Sequence, residues 1–311
     1  MKERTILALK LISSHLLLLP LILFFCVFFP PLTIPILSVV QSLLIIIYLT
    51  GYWEFFGLKM KVLYSLFMEL LIVTLFILTI SSSNAVSISL GSFIIFGIIQ
   101  VYLIFLLVKI ILVIFKIEKN SIEISFPLKN GNYLITDGGN SKISRLMNYH
   151  YYSPIHKRKG TNNSMKFATD IVKSDRSKKA FLPPDNKDYS IFSEKVYSPI
   201  DGIVFKIEKD IEDNIPFSGN YPYNTGNTVV IRNDNIYFLI GHLKKGSIKV
   251  NPGDRVCANE LIAEAGNSGF SERPHIHMQL ILSPIENYWT GSGLSMIYSG
   301  KNLYKNRLIL A

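Results

Sequence analysis

The chain has 311 residues, of which 49% are hydrophobic and 17% charged, with a net charge of +10. Its mean hydropathy of +0.33 is too apolar for an ordinary soluble protein and points to a membrane-embedded part. The excess of cations fits an anionic neighbour such as lipid headgroups or cell-wall polymer, and without a basic stripe interleaved with aromatics nucleic acid is not an expected partner.

Apolar residues concentrate in residues 1–118, in four stretches at 11–30, 35–53, 62–81 and 91–115. A bilayer core needs about 20 apolar residues in a helix, so each stretch is predicted to span a membrane. They have almost no polar face, which argues against a soluble bundle. The first lacks the small-residue site of a cleavable signal, and more spans follow it. His15 and Glu69 fall inside these stretches and are read as structural. Lys2, Arg4, Lys10, Lys59, Lys61, Lys116 and Lys119 flank them, which by the positive-inside rule places both termini in the cytoplasm. Cys26 lies in an apolar run and Cys257 in the polar half, so no disulfide is expected, and Cys257 is read as a small core residue.

From residue 119 to 311 short β-rich runs alternate with turn residues, for example "KVYSPIDGIVFKIE", "GNTVVIRNDNIYFLIGHL" and "HIHMQLIL". "RNDN" reads as a hairpin turn and "NPGD" as a second turn. The expected fold is an all-β domain, an antiparallel sandwich or barrel, after the transmembrane helices. The polar, turn-rich segments 173–193 and 209–227 read as surface loops.

Five of the six histidines fall in this half: His150, His156, His242, His275 and His277. Residues two apart on a strand share a face, so His275 and His277 project into one space while Ile276 points into a core. His242 ends another strand, in "FLIGHLKKG". Asp170 sits between apolar residues in "MKFATDIV", and a buried aspartate needs a partner, most simply a cation. Imidazoles with a carboxylate, and further imidazoles for proton transfer, suit metal-assisted hydrolysis by zinc.

"VYSPIDGIV", "GHLKKGSIKVNPGDRVCANELIAEAGNSG" and "SERPHIHMQL", in that order over 195–282, resemble the core of the LytM/lysostaphin-type zinc endopeptidases. That family cuts peptide cross-links of bacterial cell walls. The resemblance implies a duplicated hybrid β motif, a Zn2+ cofactor and a peptidoglycan substrate. It implies that His277 and Asp170 are zinc ligands, and that His242 and His275 are the two non-ligand histidines that handle protons and the oxyanion. The family's first ligand is a histidine four residues before the aspartate, where this chain has Lys166, and an ammonium is a poor ligand. His150 and His156 are the available substitutes. His150 is preferred because His156 sits among Lys157, Arg158 and Lys159, which disfavour a dication.

The reading is therefore a membrane-anchored zinc metalloendopeptidase with metal ligands His150, Asp170 and His277. Two alternatives stand beside it: a degenerate, zinc-free binding domain, favoured by Lys166, and a sugar-transport component with a phosphohistidine domain. A wall hydrolase belongs outside the cell, whereas four spans and the charge bias place the β domain inside. The domain is expected outside.

Overall fold

The computed structural model describes residues 39, 90–152, 162–174 and 183–311. The stretches 11–30 and 62–81, nearly all of 35–53, and His15, Cys26, Glu69 and His156 lie outside them.

The fourth apolar stretch is helical. Helix α1 (Leu90–Phe115) has 26 residues and one charged side chain, Lys109, whose Nζ lies 5.1 Å from the centre of the Phe105 ring. Ile94, Ile98, Val101, Phe105 and Phe115 are among its exposed apolar side chains. Counting only residues whose side chains are described, no helix is long and apolar enough to cross a membrane.

A compact unit runs from Leu112, in the last turn of α1, to Ala311. Helix ends leave carbonyls without partners. Here Asn302 Nδ2 donates to Lys116 O at 2.8 Å and reaches Val113 O and Ile114 O at 3.4 Å. The strands that follow are β1 (Ile122–Glu123), β2 (Asn132–Asp137), β3 (Thr169–Lys173), β4 (Lys195–Tyr197), β5 (Gly202–Glu208), β6 (Asn227–Asn233) and β7 (Ile236–Leu243). Then come β8 (Arg255–Val256), β9 (Leu261–Glu264), β10 (Ile276–Leu282), β11 (Ser292–Leu294), β12 (Met296–Tyr298), β13 (Lys301–Asn302) and β14 (Leu308–Leu310).

One sheet orders its strands β14-β2-β3-β10-β7-β6-β5-β8, with β11 also paired to β10. All its pairings are antiparallel. The path is open, with β14 and β8 at its ends, so the barrel alternative is corrected to an open sheet. β4 pairs with β9, and β1, β12 and β13 form a third sheet. Side chains from all three sheets meet in one core: Phe238, Ile240, Ile276, Met278 and Leu280 from the main sheet, Val196 and Ala263 from the second, and Met296 from the third. Full burial of such side chains contributes about 1.5–3 kcal/mol each.

Period-2 alternation explains what faces the opposite side. Tyr237, Leu239 and Ile281 pack there with Val230 and Tyr288, on strands whose alternate residues fill the main core. His277 and Gln279 share that face of β10 with Ile281. The β6–β7 hairpin turns at Asp234–Asn235 with Asp234 at φ 50°. In "NPGD" Gly253 takes φ 94° while Asp254 N donates to Asn251 O at 3.0 Å.

Two expectations need correction. Cys257 is exposed; Val256 before it takes the core position. The described parts of 173–193 and 209–227 are not merely surface loops. Tyr189, Ile191 and Phe217 are buried, Asn214 N donates to Asn267 O, and Phe217 N donates to Glu272 O. These segments therefore brace the turn that leads into β10.

Candidate metal centre

The centre is built by strand register. β10 lies between β3 and β7, and His277 is the Cα partner of Asp170 on one side and of Gly241 on the other. Directly opposed residues share a face, so the imidazole and the carboxylate meet: His277 Nδ1 is 2.9 Å from Asp170 Oδ1. His150 reaches the same carboxylate from a 3-10 turn, His150–Tyr152, with its Nε2 3.2 Å from Oδ2. Their candidate ligand atoms all lie within 4.8 Å of one another. His150, Asp170 and His277 are 2%, 5% and 1% exposed.

His242 reaches the site by an irregularity. Simple alternation along β7 after Phe238 and Ile240 would turn it toward the main core. Instead the β6–β7 register shifts between Asn227 and Val229, and His242 adopts φ 58°. A bulge of this kind re-aims a side chain. The His242 ring then lies 4.6 Å from that of His275 and 5.7 Å from that of His277, centre to centre. His275, just before β10, is the more open of the two, with its Nε2 3.7 Å from Asp170 Oδ2.

Backbone carbonyls fix the tautomers, because a carbonyl can only accept. His242 Nδ1 donates to Ser268 O at 2.7 Å, and His275 Nδ1 donates to Arg273 O at 2.8 Å with Ser271 Oγ at 3.1 Å. Both rings therefore keep Nε2 free. Gln279 Oε1 accepts from His277 Nε2 at 3.2 Å, leaving His277 Nδ1 toward Asp170.

The charges are set by burial and by neighbours. Burial raises the pKa of Asp170, but its interactions with the surrounding rings, His150 first, then His275 and His277, outweigh it and hold the carboxyl well below its ordinary range. Burial lowers that of His150, yet the Asp170 carboxylate overcomes this and raises it. His242 is held well below the usual imidazole value by burial, then by His275 and His277. His275 is lowered by burial, which Asp170 only partly offsets. The result is an ionised carboxylate facing two imidazoles, beside two imidazoles kept neutral.

This donor set fits zinc. Each imidazole lies beside one oxygen of the carboxylate, His277 Nδ1 at 2.9 Å from Oδ1 and His150 Nε2 at 3.2 Å from Oδ2, and one atom from each of the three residues lies within 4.8 Å of the other two. Zinc accepts imidazole nitrogen and carboxylate oxygen.

Lys166 is not among these groups. It ends a 3-10 turn, Asn163–Met165, in right-handed helical backbone. Its Nζ lies 4.5 Å from the centre of the Phe167 ring, and its carbonyl accepts from Ser141 N and Oγ. Of the two substitutes considered, His150 stands at the carboxylate and His156 is outside the described residues. Sequence reasoning missed the residues in hydrogen-bond contact with the rings: Asn148 at His150, Ser268 at His242, Ser271 at His275 and Gln279 at His277. Asn148 in "MNYHY" is two residues from a candidate ligand, which was its only signal. Ser268 acts through its carbonyl, so its side-chain type carried none.

The chain is similar to known proteins over part of its length. Over 62 residues it is 42% identical to Endolysin 2638A of Staphylococcus phage 2638A, a match spanning 18% of this chain and 13% of that protein. A zinc-containing peptidase from Vibrio cholerae is 22% identical with a TM-score of 0.32, over 54% of this chain and 37% of its own. A mutant catalytic domain of the prophage-encoded M23 protein EnpA from Enterococcus faecalis is 16% identical with a TM-score of 0.32, over 54% of this chain and 92% of its own. The chain thus spans small fractions of the endolysin and of the Vibrio peptidase. Residues 188–286, which include His242, His275 and His277 but not His150 or Asp170, match Peptidase family M23.

Proposed function

We propose that this protein is a membrane-anchored zinc metallopeptidase that hydrolyses peptide bonds in cell-wall cross-links. The observation that carries the reading is the convergence of His150 Nε2, the Asp170 carboxylate and His277 Nδ1 in a buried cluster flanked by two neutral imidazoles. His150, Asp170 and His277 hold the metal. Bound zinc supplies Lewis-acid activation of water and of a peptide carbonyl.

The chain's own groups do the rest. His242 and His275 each present an unprotonated Nε2 beside the cluster; one accepts a proton from the attacking water, and the imidazolium so formed is the donor to the developing oxyanion and then to the leaving amine. The Ser268 and Arg273 carbonyls hold these rings in place through the reaction. The wall substrate is supported by the match to Peptidase family M23. Membrane anchoring is supported by the four apolar stretches at 11–30, 35–53, 62–81 and 91–115 and by the exposed apolar side chains of α1. In this reading the β domain faces the wall.

The test is metal analysis of the purified chain, with release of peptide ends from purified peptidoglycan. One zinc per chain and activity lost in His277→Ala support the proposal. A chain that takes up no zinc and cleaves nothing is the degenerate binding domain. Protease treatment of intact cells decides the side: cleavage of residues 120–311 only after lysis overturns the wall substrate.

A further inference from the structure

His150 is the ligand whose place in the sequence departs from the family pattern, so something local must aim it. We infer that Asn148 is the positioning residue that fixes the ring orientation and tautomer of His150 and presents its Nε2 to the metal. This rests on the zinc reading above.

Asn148 is fully buried. Its Nδ2 donates to Gly139 O at 2.7 Å and to Ala168 O at 2.8 Å. Two carbonyl acceptors leave no choice about which end of the amide is the NH2. The other end, Oδ1, accepts from His150 N at 3.1 Å and lies 2.7 Å from His150 Nδ1. An amide oxygen cannot donate, so His150 Nδ1 carries the hydrogen and Nε2 keeps its lone pair. A metal-binding histidine commonly gives its other N–H to such an acceptor, which orients the ring and raises its basicity.

Asn148 also ties the ligand loop to the rest of the centre. Ala168 is two residues before Asp170, so one side chain spans the segments that carry two of the three ligands. Gly139 is seated on α1: a Cβ there would lie 2.4 Å from Val113 Cγ1. The last turn of the apolar helix is thereby connected to His150 through Gly139 O and Asn148. The ring of Tyr149 stacks on that of His150 at 4.7 Å, but stacking does not select a tautomer.

The test uses the full-length chain in detergent, titrated with Zn2+ against a competing chelator. Asn148→Ala is expected to weaken zinc binding by about 10- to 100-fold. Asn148→Asp keeps an oxygen for His150 Nδ1 but loses both donations to carbonyls. It is expected to hold zinc within a few-fold of wild type while melting at a lower temperature. Zinc affinity that is unchanged in both variants, or lost equally in both, overturns the role of Asn148 alone. If the variants do not fold, imidazole nitrogen NMR of the zinc-loaded wild-type chain decides. A protonated, slowly exchanging Nδ1 on His150 is expected, and a metal-bound Nδ1 overturns the inference. A wild-type chain without zinc overturns the metallopeptidase reading, and this inference with it.

Discussion

Asp170 and His277 are 107 residues apart in sequence and are direct Cα partners on the antiparallel pair β3–β10, with Oδ1 and Nδ1 2.9 Å apart. A slip of one residue would send every side chain of β10 to the opposite face. Ile276, Met278 and Leu280 in the main core prevent that slip, so core packing sets the geometry of the centre. Asp170→Asn preserves shape and removes the charge. It is expected to abolish stoichiometric zinc binding and peptide hydrolysis together, read by metal analysis and by a cleavage assay.

His242→Ala and His275→Ala are expected to keep the metal and to lower kcat by about 10²- to 10⁴-fold, the usual contribution of a proton-transfer group. Retained zinc with lost turnover separates these residues from the ligands. Loss of zinc in either variant would show that the ring is a ligand.

A histidine placed at position 166, four residues before Asp170, is expected to achieve nothing. Lys166 has its ammonium over Phe167 and its carbonyl held by Ser141. Lys166→His should therefore leave zinc at one per chain and should not rescue His150→Gln. Recovery of zinc binding in the double variant would place residue 166 within reach of the site.

The folded state keeps His242 unprotonated at pH values where the unfolded chain protonates it. With a depressed folded pKa, the stabilising contribution is fully present above the ordinary imidazole value of about 6.5 and is lost as pH falls below it. Each pH unit across that window costs up to about 1.4 kcal/mol per such group. Urea unfolding at a series of pH values should show this decline, and His242→Gln should flatten it.

Gly269 has φ 76°, and a Cβ there would lie 2.2 Å from Gly226 N. Gly269→Ala must shift the neighbouring Ser268 carbonyl that holds His242. It is expected to cost more than about 1 kcal/mol of stability and to lower kcat while zinc affinity stays near wild type. Unchanged kcat would show that the carbonyl is not needed.

Lys305 and Asp137 form a buried pair with Nζ to Oδ1 3.4 Å, and burial pushes the Asp137 carboxyl up to about 6. Lys305→Met removes one partner and is expected to cost about 3–5 kcal/mol. Asp137→Asn in the same chain should recover much of that loss, measured by thermal unfolding.

The sequence by itself determined the division into an apolar and a β-rich half, the hairpin at Asp234–Asn235, the turn at Gly253 and the shared face of the histidine pair. Each is local: side-chain period, a left-handed turn residue, or an uninterrupted apolar run. It also marked Asp170, because a carboxylate among apolar residues needs a partner. It misread Cys257, whose side depends on which neighbour fills the core; 209–227 is the loop it expected, without a helix or strand before β6, but one that buries Phe217. Only the tertiary structure decided that His150 stands at Asp170, that a bulge turns His242 to the same face, and that Asn148 and Ser268 aim the rings. Those are non-local facts. A sheet brings together residues far apart in the chain through register and core packing, and a positioning carbonyl leaves no trace in residue type.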